Sequence, residues 1–207
     1  MASNYDNAAW FYDGLAQLVY GKAIIKAQVY LLQFVQPNSN ILIVGGGTGR
    51  ILEELAHIYP AGLTITYVEI SEKMMALSQK RNIGDNKVTF INDAIENVNL
   101  PANFDVVITP FLFDNFTEQT ISKVFNNINV LLKPNGLWLN TDFRLTGKWW
   151  QSLMLKSMLL FFKLWCNIET DKVHNVDPYF IENGFRQIDA KTFFGEFIIS
   201  KAYRSEL

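Results

Sequence analysis

The stretch ILIVGGGTGRIL, residues 41–52, decides how this chain reads. Four apolar residues, Ile41 to Val44, have the character of a strand buried on both faces of a parallel sheet. Gly45, Gly46, Gly47 and Gly49 then fall within five positions, with only Thr48 between them. Apolar residues at 51, 52, 55, 56, 58 and 59 follow at helical spacing until Pro60 stops the run. Such a turn brings backbone N–H groups and the positive end of a helix dipole to one point, where a flat or charged ligand can approach the main chain.

The alternation continues on the C-terminal side. LTITYVEI (63–70) reads as a strand and SEKMMALSQKR (71–81) as a helix capped by Ser71. KVTFIND (87–93) and FDVVITP (104–110) are strands. TEQTISKVFNNINVLLK (117–133) is a helix with Thr117 as cap, and GLWLNTDF (136–143) is a strand after the Pro134-Asn135-Gly136 turn. Strands alternating with helices imply right-handed crossovers and a parallel sheet covered on both faces. FRQIDAKTF (185–193) and GEFIISKAYR (195–204) are too close in sequence to be anything but antiparallel. The expected fold is therefore α/β: a doubly wound, Rossmann-like sheet of seven strands, mostly parallel, closed by a C-terminal antiparallel hairpin. One domain over 1–207 is expected, with N-terminal helices in 5–36 and a helical lid or insertion in 144–183.

Composition narrows the function. Hydrophobic residues make up 49% of the 207 and charged ones only 18%, enough apolar mass for a large core. The net charge of −2 announces no polyanion-binding surface. Cys166 is alone, so no internal disulfide or cysteine-based zinc site is available, and His57 and His174 add few metal ligands. The N-terminus shows no signal-peptide pattern, and Lys156 and Lys163 interrupt the most apolar window. The expectation is a soluble, cytoplasmic protein with no metal.

The glycine spacing discriminates among ligands. A dinucleotide turn needs G-x-G-x-x-G/A, and counting from Gly45 reaches Arg50 at the last position; no G-x-x-x-x-G-K-[ST] string occurs. What remains is G-x-G-x-G: Gly45, Gly47, Gly49. This resembles the first motif of the class I S-adenosylmethionine-dependent methyltransferases. Glu69 in YVEIS, Asn92-Asp93-Ala94, FDVVITP and LLKPNGLWLNTDF (131–143) resemble that family's later stations, in order. The resemblance covers roughly residues 41–143, and the terminal hairpin matches too. WFYDGLAQLVYGKAIIKAQ (10–28) and ENGFRQI (182–188) are similar to the branch containing the ubiquinone/menaquinone biosynthesis methyltransferases.

The resemblance implies S-adenosylmethionine as cofactor. It implies that Gly45, Gly46, Gly47 and Gly49 leave room for the methionine moiety and ribose. Glu69, beside Ile70, would accept from the ribose hydroxyls, as acids do in dinucleotide folds. Asp93, beside Ala94, would accept from the adenine amine, and Tyr12 and Lys22 would lie over the methionine end. Ile43 departs from the family, which commonly has an acid there to reach the methionine amino group. The backbone carbonyls of Gly45 and Thr109, or Asp114, would have to replace it.

No single residue announces catalysis, because the transferred methyl is already activated and a base is needed only for a nucleophile with a proton to lose. Phe113 and Asp114, just past the fourth strand, with Trp149 and His174, are the candidates for contact with substrate. Residues 144–168 hold Lys148, Ser152, Lys156, Lys163 and Asn167 on one narrow stripe of an otherwise apolar helix. Such a helix is a buried core element, an apolar lid over the site, or, with Trp149 and Trp150, a peripheral contact with a membrane surface. The last two point to a small lipophilic or aromatic substrate. No basic stripe indicates nucleic acid, and Thr109-Pro110-Phe111-Leu112 stands where base-methylating relatives carry an Asn/Asp-Pro-Pro-aromatic motif. The expected function is S-adenosylmethionine-dependent methyl transfer to a small molecule. A non-catalytic binder of the same nucleoside and a nicotinamide-dependent oxidoreductase are the alternatives.

Overall fold

In a computed structural model, the structure describes residues 6, 9, 12–166, 170 and 172–206, leaving aside the side chains of 12 and 164–166. Two helices, α1 (Tyr12–Tyr20) and α2 (Ala23–Leu32), precede β1 (Asn40–Val44). Then come α3 (Arg50–Ile58), β2 (Ala61–Val68), α4 (Glu72–Ser78), β3 (Asp85–Ile91), β4 (Phe104–Pro110), α5 (Glu118–Asn129) and β5 (Leu132–Phe143). The chain continues through α6 (Trp149–Cys166), α7 (Asp177–Glu182), β6 (Phe185–Phe193) and β7 (Ile198–Ser205).

Among the described residues the strands form a seven-stranded sheet in the order β3-β2-β1-β4-β5-β7-β6. The first five run parallel and β7 is antiparallel to both β5 and β6. The strand order reverses beside β1, where doubly wound sheets open a crevice at the carboxyl ends of their strands.

Alternation along β1 shows why the sheet needs cover on both sides. Leu42 and Val44 face a cluster with Val107, Trp138 and the α5 residues Ile121, Val124 and Phe125. Ile41 and Ile43 face the other, with Leu31 and Leu32 of α2 and Ile51, Leu52 and Leu55 of α3. Ser71 and Thr117 cap their helices through side-chain oxygens that accept from Met74 and Thr120 amides, as their residue types and positions predict. A third cluster lies at the carboxyl end of the sheet. There Tyr20, Phe143, Leu155, Leu159, Phe197 and Ile198 join α6 to the tip of the hairpin.

The hairpin tip differs in detail from expectation. Phe194, Gly195 and Glu196 all have positive φ, so the connection is a longer left-handed turn and β7 starts only at Ile198. Trp150 packs edge-on against Phe194 and Phe197, which anchors the start of α6 to that turn.

Candidate active site

The glycine-rich turn links β1 to α3. Gly45, Gly47 and Gly49 all sit at positive φ, +69°, +61° and +80°, where a side chain is strained. What crowds each is different. A Cβ on Gly46 would stand 2.4 Å from the Tyr67 ring, and one on Gly49 2.6 Å from the Ser78 Cβ. One on Gly45 would meet Leu112 at 2.8 Å. These three are small because the protein's own side chains fill the space. Gly47 alone among the four has nothing within 4 Å of the added carbon. It is the point where the main chain meets open cavity.

Two acceptors set the turn. The Glu69 carboxylate, just past β2, accepts from the Gly47 amide and the Ser71 amide, both at 2.9 Å. Tyr67 donates its hydroxyl to the Gly47 carbonyl at 2.9 Å. Glu69 is buried, and burial raises its pKa against the lowering effect of the Ser71, Gly47 and Ile70 amides. A carboxylate has about four acceptor sites, so with the Ile70 amide counted as a third donor Glu69 keeps room for another.

The N-terminal helix is strapped to this turn. Asp13 on α1 accepts from the Thr48 hydroxyl at 2.7 Å and from Arg81 at 2.6 Å, while Arg81 also donates to the Thr48 carbonyl. With α1 held there, α1, α2, α6 and the carboxyl ends of the strands enclose a cavity of about 570 Å³. Gly45–Thr48, Arg50, Glu69, Ile70 and Met74 line one part of its wall. The remainder is apolar and aromatic: Ile24, Phe111, Phe143, Met154, Met158 and Phe162 are among its residues.

Charged groups in this wall are few and poorly compensated. Arg50 opens α3 with no side-chain cap at Gly49, and its buried Nε has no hydrogen-bond partner. An uncapped helix N-terminus beside a guanidinium is an anion site. Asp114, in the short turn Phe113–Asn115, also lines the wall. Asp142 at the end of β5 lies beneath it and accepts from the Phe143 amide at 3.0 Å, and from the amides of Phe113 and Asp114. Asp142 therefore fixes the turn that carries Asp114. Burial raises both acids, Asp142 to about 7, and the charge of Asp142 pushes Asp114 well above the usual carboxylate range. The two acids face each other in the interior, so ionisation of both at once is disfavoured. Tyr20 completes the group; burial and then the Asp114 charge raise its pKa, and its hydroxyl donates to Met158 Sδ at 3.3 Å.

The structure brings Gly45, Gly46, Gly47, Glu69, Ile70 and Asp114 into one wall. Gly49 is packed under α4 instead. Asp93 and Ala94 stand outside the wall; Asp93 accepts from the Ala94 amide and the Asn97 side chain. Thr109 is fully buried, donating to Asn140 and accepting from Trp138. Lys22 is exposed and away from the wall, and the side chain of Tyr12 lies outside the described residues. Phe113 is buried in the core and Trp149 is 77% exposed, so neither lines the cavity. His174 is half-buried in the loop before α7, also off the wall.

Ile43 is fully buried in the apolar cluster under α2 and α3. Sequence reading did not single out Asp142, Arg50, Tyr20 or Asp13. The available signals were an acid closing an apolar strand in LNTDF and the YD pair already noted at the N-terminus. No group of three or more potential metal ligands occurs among the described residues.

Residues 41–136 match the family described as a methyltransferase domain. The domain's relatives include the malonyl-[acyl-carrier protein] O-methyltransferase of Bacillus cereus, 29% identical over 133 residues, covering 63% of this chain and 49% of that protein. The ubiquinone/menaquinone biosynthesis C-methyltransferase of Wigglesworthia glossinidia brevipalpis is 30% identical over 147 residues, 67% of this chain and 57% of that one. The chain thus spans about half the length of these two relatives. In three dimensions the fold resembles that of the Burkholderia thailandensis 1,6-didemethyltoxoflavin-N1-methyltransferase, solved with 1,6-didemethyltoxoflavin and S-adenosylhomocysteine bound. The TM-score is 0.63 at 16% identity, over 96% of this chain and 84% of that one.

Proposed function

We propose that this protein transfers a methyl group from S-adenosylmethionine to a small apolar or aromatic molecule in the cytoplasm. One observation carries the reading: a single cavity has the glycine turn, Glu69 and Arg50 in one part of its wall and an aromatic and thioether lining in the rest. The cofactor supplies a methyl already activated on a sulfonium. The residues present fit it. Gly47 offers open main chain, Glu69 keeps room to accept from a ribose hydroxyl, and the partnerless Arg50 Nε beside the uncapped start of α3 suits a carboxylate. Ile43 offers nothing to an ammonium, which leaves backbone carbonyls of the glycine turn for that role.

The remaining work is positioning, exclusion of water and removal of a proton. Of the three carboxylates in the wall, Asp13 is tied to Thr48 and Arg81, and Glu69 to three amides. Asp114 accepts from the Asn115 side chain at 2.7 Å and, once ionised, is placed to take a proton from an O–H, N–H or acidic C–H acceptor. Its raised pKa makes the ionised form a stronger base than an exposed aspartate and makes that form scarcer at neutral pH, so the rate should rise with pH. In this reading α6 is a lid: Met154, Met158 and Phe162 close the apolar part of the cavity. A substrate bearing a phosphate would find no cation apart from Arg50 among the described residues of the wall.

Calorimetry tests the reading directly. S-adenosylmethionine and S-adenosylhomocysteine should bind in the micromolar range and NAD should give no heat. Absence of heat with both sulfur nucleosides would refute it. A screen with tritiated methyl donor against hydroxylated aromatics and long-chain acids would then identify the acceptor class.

A further inference from the structure

The outer face of α6 is not covered by the fold. Trp149 is 77% exposed, Leu153 59% and Leu160 61%, and Lys156 and Lys163 are exposed beside them. At about 100° per residue these five positions share an arc of roughly 80°. The buried positions Gln151, Leu155 and Leu159 lie on the other side of the helix. Scattered exposed apolar side chains are ordinary, but three large ones on one helix face, interleaved with lysines, are not.

The face also borders the cavity. Leu153 of α6 and Val19 of α1 both line the cavity and are both exposed, so its mouth opens between these helices. Leu18, next to Val19, is 83% exposed and adds to the apolar rim.

We propose that this face docks on an anionic membrane surface, setting the cavity mouth against the bilayer. Trp149, Leu153 and Leu160 would enter the interface, and Lys156 and Lys163 would extend their stems over it to meet lipid phosphates. None of the described helices is long and apolar enough to cross, so α6 lies in the plane rather than through it. A second copy of the chain fits the face less well. Lys156 is near the middle of the stretch 149–163, and an antiparallel two-fold pairing would press it against its own mate. With a net charge of −2 the whole molecule is not drawn to anionic lipid, so attraction has to come from this local patch. The purpose of the docking, direct uptake of a lipophilic acceptor, rests on the function proposed above; the docking itself does not.

Sedimentation with phosphatidylcholine vesicles, with and without an equal part of phosphatidylglycerol, tests this. The full chain should pellet with the anionic vesicles and about tenfold less with the neutral ones. Trp149→Ser/Leu160→Ser should abolish pelleting, and Lys156→Glu/Lys163→Glu should remove the preference for anionic lipid. Both variants should keep the parent's affinity for S-adenosylhomocysteine, since none of the four residues lines the cavity. A parent that pellets with neither vesicle overturns the proposal, as does a serine variant that pellets like the parent. So does a concentration-dependent dimer that the serine variant dissolves, which would assign the face to self-association. Failure of the nucleoside to bind the parent would count against the cofactor and leave the vesicle result standing.

Discussion

Replacing Asp142 by Asn should change how stability depends on pH. Asp142 is raised from 3.8 to about 7, chiefly by burial. A carboxyl raised by folding is held preferentially in its protonated form. Its contribution is complete below the unfolded value near pH 4 and is lost as pH rises through about 7. A shift of about 3 units corresponds to about 4 kcal/mol, of which roughly 2–3 kcal/mol falls between pH 5 and pH 8. Asp114 adds a decline of the same sign, and part of its own shift is the charge on Asp142. Asp142→Asn removes the first term and reduces the second.

The amide can still accept from the Phe143 amide, but its NH₂ replaces an acceptor toward the Phe113–Asp114 turn. That costs about 1–3 kcal/mol at every pH, so the slope rather than the absolute stability is diagnostic. Urea unfolding at pH 5 and pH 8 measures it. The parent should lose several kcal/mol across this interval and the variant much less. Equal losses would mean that Asp142 does not hold a proton in the folded state, and the account of Asp114 as raised by its neighbour would fall with it.

The glycine turn gives a separable pair. Gly46→Ala puts a methyl into the Tyr67 ring and should lower unfolding stability by about 1–3 kcal/mol in thermal or urea melts. Gly47→Ala meets no protein atom, so beyond a cost of about 1 kcal/mol for its positive φ it should act on nucleoside binding measured by calorimetry. Arg50→Ala should weaken S-adenosylhomocysteine about tenfold and leave 5′-methylthioadenosine, which has no carboxylate, unchanged; equal losses for both would remove Arg50 from that role. Glu69→Ala should weaken both ligands by about 1–3 kcal/mol, since both carry the ribose, and unchanged calorimetric affinity would exclude Glu69 from the site.

Much of the architecture was legible from periodicity alone, because burial on both faces of a parallel sheet forces continuous apolar strands such as ILIV and VVIT. Ser71 and Thr117 were readable as caps because capping is local chemistry. The hairpin was legible for the same reason, though not its tip, where three successive residues at positive φ include Phe194 and Glu196. That Gly45, Gly47 and Glu69 share one cavity wall was legible because strand-to-helix turns present the same groups wherever they occur.

What the sequence by itself determined, then, is the order of strands and helices and the glycine-rich turn between β1 and α3, each set by residues close together along the chain. Only the tertiary structure decided which glycine faces the open cavity. Tyr67, Leu112 and Ser78 come from three different elements to fill the space beside the other three. It likewise decided that Asp114 and Asp142, 28 positions apart, sit together without a countercharge, and that α6 turns Trp149 outward while Met154 and Met158 close the cavity. A desolvated charge or a helix face has no meaning until distant segments are packed around it, and that packing is not written in any local spacing.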